Sequence, residues 1–230
     1  MDVQALKATT ADGIALRGEI VRGNTTFVVC IHDVGEDIDA WKPIRGELAK
    51  QGWTILALDL RGHGGSDGEW TGERGELDAG VAVTVARRLG AQHVAVVASG
   101  KGAILALQAL ERALEDESLE LPDSLVLISP GPLNGLNPMT LRGGGLPKLF
   151  VFGAEDPYAR DARVLAKTSI GWKVQTTYGT DARAGALIEI RARLIVDKAV
   201  TFLREQETLR GPGLERMKRR LGTRASRADG

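Results

Sequence analysis

At 230 residues, with 43% hydrophobic and 26% charged side chains, the sequence has the make-up of one globular domain with a sizeable core, which excludes a fibre or a wholly disordered chain. Its 30 basic residues balance 30 acidic ones, so net charge supplies no general attraction to nucleic acid or to a membrane surface. Aromatic residues make up only 4% and are not interleaved with basic ones, which argues against a stacking platform for nucleic acid.

The opening MDVQALKATTADG lacks the basic segment and apolar run of a secretory signal. No apolar stretch approaches the roughly 18 to 20 residues needed to cross a bilayer, so the expectation is a cytoplasmic protein without a membrane span. The segment LKATTADGIALRGEIVRG alternates about Ala-Asp-Gly and predicts a hairpin of two short strands. Strand-length apolar runs follow at Phe27 to Ile31, Trp53 to Leu60, His93 to Ala98, Ser124 to Ile128 and Lys148 to Phe152, with WKVQTTY as the last strand. Helical spacing fills the intervals at 40–51, 76–89, 102–115, 158–167 and 184–206. This alternation predicts an α/β fold, a mostly parallel central sheet with helices on both faces.

The one cysteine, Cys30, lies in a buried-looking strand and reads as a small core residue, inert as a thiol. Residues 1–209 form one predicted domain without repeat or linker. Residues 210–230 differ: after Gly-Pro-Gly, positions 211–230 carry six basic against two acidic side chains. Leu214, Met217 and Leu221 make a short apolar stripe there, so this tail reads either as a solvated terminus or as a basic amphipathic helix for an acidic partner.

The stretch VAVVASGKGAILAL, residues 94–107, reads as strand, sharp turn and helix. FVVCIHDVGEDIDAWKPIRGELAKQGWTILALDLRGHGGSDGE contains Asp59, Arg61, Gly62, His63, Gly64 and Ser66 in a D-x-R-G-H-G-x-S loop, and KLFVFGAEDPYA ends a further strand in acidic residues. Together these stretches resemble the α/β-hydrolase superfamily, particularly its lidless esterase and serine-aminopeptidase-like members, over roughly residues 3–206. Only 17 residues separate Pro130 from Lys148, too few for a helical lid, so an open pocket is expected.

The resemblance implies a serine nucleophile on the sharp turn, flanked two residues away on each side by small residues. With Gly100 at the apex those flanks are Ala98 and Gly102, followed by Ala103; with Ser99 at the apex they are Val97 and Lys101. The first register fits the packing rule and leaves no nucleophile, because glycine takes the strained backbone without a side chain. Ser99 stays as the fallback. The resemblance also implies a histidine base after the last strand, yet the histidines are His32, His63 and His93.

Aligning YGTDARAGALIE with the family loop, within a slip of one or two residues, puts Arg183 at the histidine position, and a guanidinium cannot act as a general base. Asp156 takes the position of the acid, with Glu155 as the lesser candidate, and a hydrogen-bonded Arg183–Asp156 ion pair is expected. Asp33 lies beside the expected oxyanion site, where its charge opposes an oxyanion, while Lys101 offers a backbone donor and a positive charge.

The predicted pocket is therefore His32, Asp33, Ser99, Gly100, Lys101, Asp156 and Arg183. His63 reads as a structural loop residue, His93 as peripheral, and His32 as either pocket or scaffold. Their scatter makes no metal motif, and no cofactor is implied. SGKG fails the spacing of a nucleotide-binding loop, although a glycine-flanked helix N-terminus suits a small anion. The favoured reading is a non-catalytic hydrolase-fold protein that binds a small anionic molecule or a protein partner. The alternative is a serine esterase working through Ser99 and His32.

Overall fold

A computed structural model describes residues 2–208. The basic segment 210–230, with its candidate apolar stripe, lies outside the described residues. Strands β1 (Val3–Thr9) and β2 (Ala15–Val21) form the expected antiparallel hairpin across the Ala-Asp-Gly turn. The chain then alternates: β3 (Thr26–Ile31), α1 (Lys42–Ala49), β4 (Thr54–Leu58), α2 (Gly75–Arg88), β5 (His93–Ser99), α3 (Gly100–Glu115) and β6 (Ser124–Ile128). It closes with β7 (Lys148–Gly153), α4 (Ala159–Thr168), β8 (Lys173–Tyr178) and α5 (Ala184–Thr208), the last kinked at Arg191.

These strands make one eight-stranded sheet in the order β1-β2-β4-β3-β5-β6-β7-β8. β2 pairs antiparallel with both β1 and β4, and every later pairing is parallel. The central strands read as continuous apolar runs because both faces are covered. In β3, Phe27, Val29 and Ile31 enter the core that holds α2, α3 and α4, while Val28 and Cys30 enter the core that holds α1 and α5. β5 divides in the same way, with Val94, Val96 and Ala98 on one side and Ala95 and Val97 on the other. Cys30 is buried as expected, and burial pushes its thiol up to about 12.

The edge strand β8 alternates exposed and half-buried residues, as suits a strand with one neighbour. Between β6 and β7 the segment expected to lack a lid holds two short 3-10 turns, Pro138–Thr140 and Gly143–Gly145. Among the described residues, no helix is long and apolar enough to cross a membrane.

Candidate functional site

The parallel strands end on one side of the sheet, where an open α/β sheet offers its binding crevice. The passage from β5 to α3 takes no loop at all. Ser99 is still extended, with φ −119° and ψ 150°, and Gly100 turns the chain with φ +54°, a left-handed conformation that a side chain resists. The small neighbours have a steric cause: a Cβ at Gly102 would lie 2.2 Å from the carbonyl oxygen of His32, and Ala98 and Ala103 are fully buried. Gly100 is thus the residue at the apex, and Ser99 belongs to the strand.

The loop after β3 brings Asp33 onto this turn. Its Oδ1 accepts from the backbone N–H of Lys101 at 2.6 Å and from that of Val34 at 2.8 Å. A Cβ placed on Gly100 would stand 2.0 Å from Asp33 Cγ. The carboxylate therefore fills the space in which a side chain at position 100 would start, and it occupies the two backbone donors beside it. Its Oδ2 accepts from Arg183 Nη1 at 2.6 Å, and Arg183 Nη2 donates to the carbonyl of Gly131 at 3.0 Å.

The expected Arg183–Asp156 ion pair is present at the limit of its range, and the hydrogen bond expected within it is not made. Arg183 Nε stands 4.0 Å from Asp156 Oδ1 and makes no hydrogen bond, so Asp33 holds the guanidinium and Asp156 only adds charge nearby. The reason is reach: Asp33 projects from the loop after β3 into the turn and meets the guanidinium first. Asp156 instead accepts from the backbone N–H of Tyr158 at 2.7 Å and caps its own loop. Glu155 is exposed and its backbone N–H bonds to Thr180, away from this network. Glu36 ties the network to α5, accepting from the N–H of Gly185 at 2.9 Å; burial raises its pKa.

Two further expectations change. His32 is fully buried, its Nε2 accepts from the N–H of Leu60 at 2.9 Å, and its Nδ1 lies 2.7 Å from the carbonyl of Asp33. An acceptor at Nε2 puts the ring proton on Nδ1, so the imidazole is neutral and both nitrogens are committed to backbone; burial lowers its pKa. Ser99 is also fully buried, and its Oγ has no hydrogen-bond partner. Neither lines the cleft, and Gly100 and Asp156 are likewise buried below it.

His63 is a loop residue as anticipated: Nε2 accepts from Gly35 N–H at 3.0 Å and Nδ1 meets the Arg61 carbonyl at 2.8 Å. His93 meets Asp123 at 3.2 Å at the start of β5, far from the strand ends that build the site. The rest of the D-x-R-G-H-G-x-S loop is scaffold, with Asp59 Oδ1 accepting from Ile38 N–H and Asp59 Oδ2 from Gly65 N–H. Among the described residues no group of three or more His, Cys, Asp or Glu is placed to hold a metal ion.

Above the turn lies an open cleft of about 660 Å³. Of the predicted pocket residues it includes Asp33, Lys101 and Arg183; the sequence reading missed Trp70, Leu133, Leu136 and Tyr158 and the charged Glu73, Arg74 and Glu76. Arg183 lies over the Tyr158 ring, 5.1 Å from Cζ to centroid, and Trp70 stands edge-on to His63 at 5.5 Å. The available signal was Tyr158 two residues after Asp156 and Trp70 four residues after Ser66, both in loops that follow strands. Lys101 reaches this cleft half-buried, and burial lowers the pKa of its amine while the Asp33 carboxylate opposes that shift. A smaller hollow of about 280 Å³ between α2 and α3 contains none of Asp33, Gly100, Lys101, Asp156 or Arg183.

The family profile described as "Alpha/beta hydrolase family" matches residues 28–222. The chain belongs to the α/β hydrolase family. Solved structures agree on the fold. An esterase of Pyrococcus furiosus is similar with 18% identity and a TM-score of 0.72, over 90% of this chain and 91% of that one. An enol-lactonase of Burkholderia xenovorans has 16% identity and a TM-score of 0.66, over 86% and 100% of the two chains. An epoxide hydrolase of Mycobacterium thermoresistibile has 16% identity and a TM-score of 0.68, over 88% and 98%. No curated protein matches the sequence. In this member of the α/β hydrolase family Asp33 joins the strand-to-helix turn to Arg183 after β8, and Asp156 after β7 lies 4.0 Å from the same guanidinium.

Proposed function

We propose that this α/β-hydrolase-fold protein is non-catalytic toward esters and binds a small anionic ligand in its open cleft, with Lys101 as the principal cation. The observation that carries this reading is the Asp33 carboxylate, which sits on the Val34 and Lys101 N–H groups and in the volume of a side chain at Gly100. Acyl transfer requires a nucleophile beside a base, and donors free to receive the oxyanion. Here a carboxylate fills the donors, and Arg183, which our reading of the sequence sets at the histidine position, carries a guanidinium that cannot act as a base.

The ligand class follows from charge. Arg183 is neutralised by Asp33 and Glu76 is held by Arg112, whereas the Lys101 ammonium has no ion-pair partner among the described residues and shares the cleft with Glu73, Arg74 and the apolar Trp70, Leu133 and Leu136. A carboxylate or phosphate with a short apolar body fits that combination.

The likeness to esterases favours the alternative, an ester hydrolase with atypical groups, but its Ser99 is enclosed and its His32 already spends both nitrogens on backbone. The test is turnover of p-nitrophenyl acetate and butyrate, with a fluorophosphonate label for an activated serine. No turnover above background and no labelling are expected, while phosphate or butyrate raises the melting temperature of the wild type but not of Lys101→Met. Turnover abolished by Ser99→Ala would overturn the proposal.

A further inference from the structure

Several lysine ammonium groups are held by neighbours. Lys42 meets Asp39 at 2.7 Å, Lys50 meets Glu47 at 2.6 Å, Lys173 donates to the Ser169 carbonyl at 2.8 Å, and the enclosed Lys148 donates to the carbonyls of Leu146 and Ile170. Lys7, Lys167 and Lys198 stand exposed in solvent. Lys101 belongs to neither group. Its backbone is pinned by the 2.6 Å bond from its N–H to Asp33 at the first turn of α3, its stem is half-buried, and its Nζ has no hydrogen-bond or ion-pair partner among the described residues. It opens into a cleft lined by the apolar Trp70, Leu133 and Leu136 and by the charged Glu73, Arg74 and Glu76.

A half-buried amine with no ion-pair partner, set beside apolar side chains, is an environment in which lysine attacks carbonyl carbon, because removal of water favours the neutral nucleophile. Burial acts on Lys101 in that direction, against the Asp33 carboxylate beside it. Arg74, at the lip of the same cleft, is bound only loosely at 3.9 Å from Asp12 and has a left-handed backbone at φ +59°, an outlier of the kind that gathers at functional sites. It supplies a cation for an acidic group once the Lys101 nitrogen is engaged.

We propose that Lys101 Nζ is a carbonyl nucleophile that condenses reversibly with small aldehydes or ketones bearing a carboxylate or phosphate. The inference rests on the reading of the cleft as a small-anion site. The neutral amine forms an N–C bond to the carbonyl carbon, both amine protons pass to the carbonyl oxygen, and that oxygen leaves as water. The product is an imine, reached without oxidant or reductant.

The test is reductive trapping of the full-length protein near neutral pH with pyridoxal 5′-phosphate or glyoxylate and cyanoborohydride, followed by peptide mass mapping. Trapping is expected to concentrate at Lys101, several-fold faster than at Lys7, Lys167 and Lys198, and to vanish at that site in a folded Lys101→Arg variant. Uniform labelling of the exposed lysines overturns the proposal. Calorimetry with pyridoxine 5′-phosphate, which lacks the carbonyl, separates the two readings. Binding of this analogue without an imine at Lys101 overturns the nucleophile and leaves the anion site standing. An imine formed equally well by propanal, with no binding of the analogue, overturns the anion site and leaves the nucleophile.

Discussion

The Asp33 carboxylate and a side chain at position 100 are mutually exclusive: a Cβ on Gly100 would lie 2.0 Å from Asp33 Cγ, 2.2 Å from Oδ2 and 2.3 Å from Oδ1. The carboxylate has little freedom to retreat, being buried and held by two backbone donors and Arg183. Gly100→Ala is therefore expected to destabilise the fold by about 2 to 4 kcal/mol, combining the left-handed backbone with the clash. In an Asp33→Ala background the same substitution should cost about 1 kcal/mol, the backbone part alone. Urea melts of the four proteins close the cycle. Additivity within about 0.5 kcal/mol would mean that the carboxylate simply swings aside.

Arg183 and Asp156 separate by their dependence on each other. Arg183→Ala leaves Asp33 buried without its counter-charge and should cost about 1 to 3 kcal/mol, the guanidinium itself being partly exposed. Asp156→Asn keeps the oxygen that accepts from Tyr158 N–H and loses only a charge 4.0 Å from Nε, so it should cost less than about 1 kcal/mol. Thermal melts compare the two. An equal or larger loss for Asp156→Asn would restore that pair as the dominant one.

Acid stability should carry a signature of Asp12. Its hydrogen bond with Arg61 holds its pKa at about 2, below the ordinary 3.8, and Arg61 in turn bridges to Asp78 at 2.8 Å. A depressed carboxylate stabilises the fold above its unfolded pKa, and the benefit is lost as pH falls from 3.8 toward 2, here about 1 kcal/mol once solvent screening at this partly solvated site is allowed for. Asp12→Asn should flatten the slope of urea midpoint against pH in that window. An unchanged slope would assign the acid transition to other carboxylates.

Lys148 predicts a slope of the same sign at alkaline pH, from an amine whose charged form the fold disfavours. Burial pushes its pKa down to about 8 from 10.5, and its ammonium is shared between two carbonyls. The unfolded chain binds the proton more tightly than the folded one, so between those values stability from this group rises with pH, by about 3 kcal/mol at most. The difference in stability between wild type and Lys148→Met should grow in favour of wild type from pH 8 to 10.5. A difference constant across that window would show that Lys148 keeps an ordinary affinity for protons.

The sequence by itself determined the sheet and its helices, because strands covered on both faces must be continuously apolar and the segments between them must carry a helical stripe. It also determined the turn. Ala98, Gly100 and Gly102 declare the apex through steric demand alone, since a Cβ at Gly102 meets the His32 carbonyl whatever the site does. The lack of a histidine after residue 93 was equally plain. What only the tertiary structure decided is which charges meet. Asp33 and Arg183 lie 150 residues apart, and both Asp33 and Asp156 are short carboxylates on loops at the same end of the sheet. The choice between them depends on a difference of little more than an ångström in reach, 2.6 Å against 4.0 Å, and on the two backbone donors that hold Asp33 on the turn. Distances of that size are set by how strands and loops pack, which residue types and spacing along a chain do not encode.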